Sequence, residues 1–560
     1  MIMPRPLHTG RTRWRTVFFS ALSAISAFCA LSAFQQSSLD PELLTKPPTD
    51  AWPTYNGDYS GRRYSTLAQI NASNVKNLTL AWIYRANTST ANAMTAGEGP
   101  EPGDATPNVS IKSTPLMVNG VLYLASPDHV WAIDARTGRE RWHFVWRTKG
   151  GDHIGNRGVG MYRNWLYFLT PDDYFVSLDA TTGKERWHKQ IASLKQEYFA
   201  TMAPVVIRNH VIFGVSGDAL DLPGYLESRD PESGELQWRW YTTPRPGEPG
   251  AETWPNEYAM RHGGGMPWIP PTYDRELNLL YIGTGNPNPV MAGQSRKGDN
   301  LWTCSVVALN PDTGKMVWYY QYSPHDTHDW DAAQTPVLFD APFNGQPRKL
   351  LAQAYRGGYF FLLDRTNGKH LVTAPFIESL NWSKGINANG QPIPDPAKEP
   401  RIDGTLVSPN SDGATNWPPP SFSPETGLLY FGATQNFSLM YLTDTDERPE
   451  GWGAAERRVG TLGAALLAVD YQTGKIRWRH PFPGAAGGGP MGLLSTAGKL
   501  LFGSDLMGNF VAYDPLTGKP LWHAGLGTNT SNGPQTFLLD GRQFVVVGAG
   551  DTLFAFALHP

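Results

Sequence analysis

The chain has 560 residues, with 58 Gly, 47 Pro and 20 Trp, and only 17% of its residues are charged. A net charge of −3 gives no basic footprint for nucleic acid. Two cysteines, Cys29 and Cys304, do not make a disulfide scaffold, and without a C-x-x-C-H motif this sequence carries no c-type haem.

The N-terminus comes first. MIMPRPLHTGRTRWR holds Arg5, Arg11, Arg13 and Arg15 without an acid, and the apolar, small-residue run VFFSALSAISAFCALSA follows. That order reads as an export signal over residues 1–33, cleaved near Ala33. The alternative is a retained anchor, although the run is at the short end for a span. A cleaved signal implies the periplasm and no stable transmembrane domain. Residues 34–76 are expected to form an extension packing on the domain of residues 77–560.

A repeat dominates that domain. AIDARTGRERW (Ala132–Trp142), VSLDATTGKERW (Val176–Trp187), ESRDPESGELQW (Glu227–Trp238) and VALNPDTGKMVW (Val307–Trp318) share one pattern. LLDRTNGKHL (Leu362–Leu371), LAVDYQTGKIRW (Leu467–Trp478) and VAYDPLTGKPLW (Val511–Trp522) bring the copies to seven. Each predicts a hairpin: a strand ending at Asp or Asn, a turn with Gly at positive φ, and a second strand running to Trp. With a further alternating run upstream, each unit is a four-stranded blade. The repeat glycines lie 45, 51, 54 and 44 residues apart, with two longer gaps of 80 and 106. The longer gaps need insertions, and the first holds the polar loop Gly283–Asn300 between LNLLYI and LWTCSVVAL, both read as strands. Joining NLTLAWIY (Asn77–Tyr84) to the C-terminal strands of Gly541–Leu558 gives an eighth blade. The expected fold is all-β, an eight-bladed propeller closed by its N- and C-terminal strands, because closure removes exposed sheet edges.

Chemistry on such a ring belongs where polar loops leave apolar strands at the axis. Arg157 in GNRG, Thr201 in TMAP, Ser216 and Gly217 in VSGDALD, and Trp268 after the Gly run of HGGGMPW meet that description. So do Asn286 and Asp299 in the long loop, Arg356 in AYRGGYF and Asn416 in ATNWPPP. Together they offer cations, amide and hydroxyl donors, a flat aromatic and an acid. That set suits a planar polyanion beside a hard cation.

These residues and motifs resemble the quinoprotein alcohol dehydrogenases, relatives of methanol dehydrogenase that hold pyrroloquinoline quinone (PQQ) on the axis of an eight-bladed propeller. YIGTGNP followed by GDN, the A-x-D-x-x-T-G-x-x-x-W repeats, SPHDTHDWD and LSTAGKLLFG carry the resemblance, and subgroup features resemble the acidobacterial type. It implies that Asp299 and Arg356 are catalytic, with Asp299 the base. It implies PQQ contacts from Arg157, Thr201, Ser216, Gly217, Trp268, Arg356 and Asn416. Asn286, Asp299 and Asp218 would hold calcium. The substrate would be an alcohol or sugar alcohol, and electrons would pass to a soluble cytochrome c or another periplasmic acceptor.

The sequence departs from the family pattern in three ways. Ala219 stands where a metal-binding Glu is expected, with Asp218 and Asp221 as nearby substitutes. Gly151 and Asp152 replace a vicinal cysteine pair, and Lys112 replaces an acid. Leu301, two beyond Asp299, lacks the extra acid associated with lanthanide use. His325, Asp326, His328 and Asp329 in PHDTHDWD read as a hydrogen-bonded corner. The alternative function is a non-catalytic propeller, either binding PQQ without turnover or scaffolding the envelope without a cofactor.

Overall fold

The structure, a computed structural model, describes residues 38–86, 110–151, 155–217, 220–482 and 491–559. The expected signal lies outside the described residues, as do Cys29, Asp152, Asp218 and Ala219. Among the described residues, eight sheets have four or five strands each, and Ser383–Ile386 pairs with Pro392–Pro394 in a small ninth. Among those residues no helix is long and apolar enough to cross a membrane.

The repeat sets local structure as its sequence requires. All seven repeat glycines lie at φ between +67° and +74°, where an L side chain is strained. Ahead of them an Asx turn forms. In the second repeat, for example, Asp179 Oδ1 accepts the amides of Thr181 and Thr182.

The glycine has a second reason that the hairpin pattern alone does not reveal. The Trp ending one repeat packs on the turn of the next, so a Cβ on Gly183 would stand 2.6 Å from Trp142. Trp142 Nε1 donates to the Ala180 carbonyl at 3.1 Å, and Trp187, Trp238 and Trp478 repeat the contact one unit further on. Each indole thus satisfies its one donor while burying its ring between sheets. Leu371 replaces Trp in the fifth copy, and there Gly474 packs on Ala374 and Val372.

The strand Leu78–Arg85 pairs antiparallel with Thr552–Leu558, bringing the two ends of residues 77–560 into one sheet. Residues 49–63 lay their backbone against the first strands of several sheets. Trp52 bridges Met117, while the carbonyls of Tyr59, Ser60, Arg62 and Arg63 accept from Tyr273, Leu338, Phe422 and Ser495. Buried Arg63 donates to the carbonyls of Tyr55, Leu493 and Pro534, tying three distant segments together.

One local expectation changes. LWTC is not a strand: Cys304 sits at φ +48° in a turn, and the strand begins at Ser305. In the 106-residue gap between repeat glycines, Ala454–Asp470 pairs with Leu428–Leu442 in one long hairpin.

Candidate functional site

The Gly run and the long loop meet each other. The amide of Gly265 donates to the Asn286 carbonyl at 2.8 Å, Gly285 to Met266 at 2.8 Å, and Asn288 to Gly263 at 3.0 Å. A Cβ on Gly264 would lie 2.7 Å from Asn288 Oδ1, so only glycine permits this pairing. The run therefore brings backbone against the Asn286 loop. A third segment joins them: Ala332 donates its amide to Thr284, and a Cβ on Gly285 would stand 2.8 Å from Asp331 Oδ1.

Asp331 is the centre of what results. It is 1% exposed. Its Oδ1 accepts the Asn286 amide at 2.6 Å, and its Oδ2 accepts Trp268 Nε1 and Arg356 Nη1, each at 2.9 Å. The other arm of Arg356 reaches Asp329 Oδ2 at 3.1 Å and the Ser411 carbonyl at 2.6 Å. Ser411 is held in turn by Glu456. The Asn286 side chain donates from Nδ2 to Asn288 Oδ1 at 2.9 Å, while its Oδ1 is buried without a hydrogen-bond donor.

Trp268 joins this group to a second. The Arg157 guanidinium lies 4.5 Å from the Trp268 ring centre and 5.1 Å from that of Trp417, and its Nη1 donates to Thr201 Oγ1 at 2.5 Å. Burial raises the Tyr55 phenol above its usual range, against the opposing pull of Arg157 and Arg63. Asn416 and Trp417 line a cavity of ≈ 350 Å³ with Lys112, Asp412, Asn436 and Arg458. The Asn416 side chain itself turns back on its own loop, to the Asp412 carbonyl and the Trp417 amide. Ser216 exchanges backbone hydrogen bonds with Phe199, and Gly217 packs where a Cβ would meet Tyr198 at 2.6 Å.

The structure thus brings together Arg157, Thr201, Trp268, Asn286 and Arg356. It does not bring Asp299 to them. Asp299 is exposed, its carbonyl accepts from His325 and Gln321, and its charge helps raise the outer-strand Tyr319 phenol, after burial as the main cause. The reason is the turn. Gly298 at φ +107° packs on Thr253, and Asn300 at φ +57° points inward to Arg296, which leaves Asp299 facing solvent. In GDN the buried polar side chain is Asn300. The acid at the site comes instead from the corner Ser323–Asp331.

From the sequence, that corner reads only as a hydrogen-bonded turn. Its histidines do bond backbone: His325 Nδ1 to the Gly298 carbonyl and His328 Nε2 to that of Lys398, each at 2.9 Å. His328 stacks on Trp330 at 4.3 Å. Yet the same segment ends on Asp331. An available signal was the acid placed directly between Trp330 and the apolar pair Ala332–Ala333. Two other residues resolve here. Asp221 accepts from Asn288 Nδ2 and the Gly451 amide, which places Asn288 between it and Asn286. Gly151 leaves no room for a side chain, since a Cβ would lie 1.9 Å from the Pro171 carbonyl oxygen.

These residues suit a flat polyanion and a hard cation. A guanidinium set against two indole faces with Lys112 nearby suits the first. The donorless Asn286 Oδ1, on a residue whose backbone amide binds the Asp331 carboxylate, suits the second, since calcium takes amide and carboxylate oxygens.

Four-stranded sheets built on this repeat are those of a β-propeller. The sequence model described as "Glucose/ethanol/alcohol dehydrogenase, beta-propeller domain" matches residues 52–398, and that of "Outer membrane protein assembly factor BamB" matches 463–559. The quinohemoprotein alcohol dehydrogenase of Comamonas testosteroni is 35% identical, over 97% of this chain and 79% of its own. The quinoprotein alcohol dehydrogenase PedH of Pseudomonas putida is 32% identical, over 96% and 92%. The crystal structure of the Comamonas enzyme superposes with a TM-score of 0.83 at 33% identity, covering 94% of this chain and 84% of that one. The chain belongs to the PQQ-dependent alcohol dehydrogenase family and has the all-β propeller fold of its members.

Proposed function

We propose that the protein is a periplasmic quinoprotein that oxidises an alcohol or sugar alcohol with PQQ and passes the electrons to an external acceptor. The observation that carries this is the Asp331 carboxylate, buried and held between Asn286, Trp268 and Arg356. When bound, PQQ supplies a two-electron acceptor, and calcium beside it a Lewis acid. Trp268 and Arg157 would hold the flat cofactor. Asn286 Oδ1 and Asp331 would hold the cation. Asp331 would take the hydroxyl proton of the alcohol as general base, and Arg356, donating to its Oδ2 at 2.9 Å, holds that carboxylate in place. The position two beyond Asp331 is Ala333, which adds no further acid and favours calcium over a lanthanide.

The eight sheets are inferred to form one closed ring, supported by the pairing of Leu78–Arg85 with Thr552–Leu558. A soluble cytochrome c or similar carrier is the acceptor, consistent with a sequence that has no haem-attachment motif. The basic-then-apolar N-terminus supports export. The test is reconstitution of the purified protein with PQQ and calcium, followed by dye reduction with primary alcohols and sugar alcohols. Substrate-dependent reduction is expected, and none with any alcohol would overturn the proposal.

A further inference from the structure

A chain of hydrogen bonds runs from Asp221 to the site. Asp221 Oδ1 accepts from Asn288 Nδ2 at 2.8 Å, and Asn288 Oδ1 accepts from Asn286 Nδ2 at 2.9 Å. The Asn286 Oδ1 is left buried and without a donor. All three residues are at most 4% exposed. Asp221 Oδ2 accepts the Gly451 amide at 2.8 Å, so the same carboxylate holds the tip of the long hairpin.

The direction of this chain follows from donor inventory. A carboxylate only accepts, whereas a carboxamide can present either end. Asn288 must therefore turn its NH2 toward Asp221 and its oxygen toward Asn286. Asn286 must then turn its NH2 toward Asn288 and its oxygen into the site. A carboxamide flipped at either position would set two donors or two acceptors against each other in a buried place and leave both unpaired. Burial raises the Asp221 carboxyl, and the hydrogen bonds from Gly451 and Asn288 pull it back.

We propose that Asp221 is a positioning residue that sets the polarity of the relay Asp221–Asn288–Asn286 and so fixes Asn286 Oδ1 as a cation ligand. This rests on the proposed calcium-dependent function. The role differs from ligation by Asp221, which stands one residue back from Asn286, behind Asn288.

Asp221→Asn tests it with almost no change of shape. The new carboxamide keeps an oxygen on the Gly451 amide and offers NH2 to Asn288, which reverses both downstream amides and turns an NH2 into the site. The combined variant Asp221→Asn with Asn288→Asp restores an acceptor-only group next to Asn286. Calcium content would be measured on full-length protein supplied with PQQ and calcium, then titrated with a chelator, with melting temperature recorded alongside. The parent is expected to retain calcium, the single variant to hold it about tenfold more weakly, and the combined variant to recover it. Equal retention by parent and single variant would overturn the relay. So would a combined variant that melts like the parent and stays weak. A parent that retains no calcium would overturn the cation itself and the proposed function with it.

Discussion

The backbone amide of Asn286 donates to Asp331 Oδ1 at 2.6 Å, across 45 positions of chain. The contact joins the polar loop after one strand to the corner before the next sheet. It also replaces one candidate base with another, because Asp299 lies in the same loop as Asn286 and is turned away.

Asp331→Asn is expected to lower alcohol-dependent turnover by about 10²–10⁴-fold, the usual worth of a positioned general base. The carboxamide keeps the size of the side chain. Steady-state dye reduction with the PQQ-loaded protein would measure it.

Asp299→Ala is expected to leave turnover within about twofold, because an exposed surface substitution changes little. Run beside Asp331→Asn under the same conditions, it separates the two acids. A loss of several hundredfold at Asp299 with Asp331→Asn active would reverse their roles.

Gly314→Ala is expected to destabilise the fold by about 1–3 kcal/mol, the cost of holding a non-Gly residue in the left-handed region. Gly314 sits at φ +67°, and an added Cβ would stand 2.6 Å from Trp238. Thermal or urea unfolding would show it, with Gly345→Ala as the comparison, since Gly345 has a similar φ of +76° and nothing within 4 Å of an added Cβ.

Stability should fall on acidification. Burial, then the nearby Arg296, lowers His325 to about 4 from its ordinary 6.5. Between those two pH values the unfolded chain binds the proton and the native protein does not, so stability rises with pH through that window and is lost as pH drops from about 6.5 toward 4. Melting temperatures from pH 7 to 4.5 should show this slope, and His325→Asn should flatten it.

Much of the fold was legible. A hairpin signature seven times over, with its turn acids and positive-φ glycines, is local chemistry, and local chemistry is written residue by residue. The insertions and the membership of Arg157, Thr201, Trp268, Asn286 and Arg356 in one site also followed from the motifs, by resemblance. The packing of each Trp on the next turn did not, because it is a contact between units.

What the sequence settled by itself was the periodicity: where strands end, where φ must be positive, and which loops are too polar to be plain connections. Which acid serves the site was decided only in three dimensions. Asp299 and Asp331 are alike in type and both lie near tight turns. One turn is tipped outward by Gly298 and Asn300, and the other is drawn inward because Gly285 carries no side chain to obstruct it. Burial and direction are properties of the packed neighbours, so the same carboxylate is solvated in one place and caught between a tryptophan and an arginine in the other.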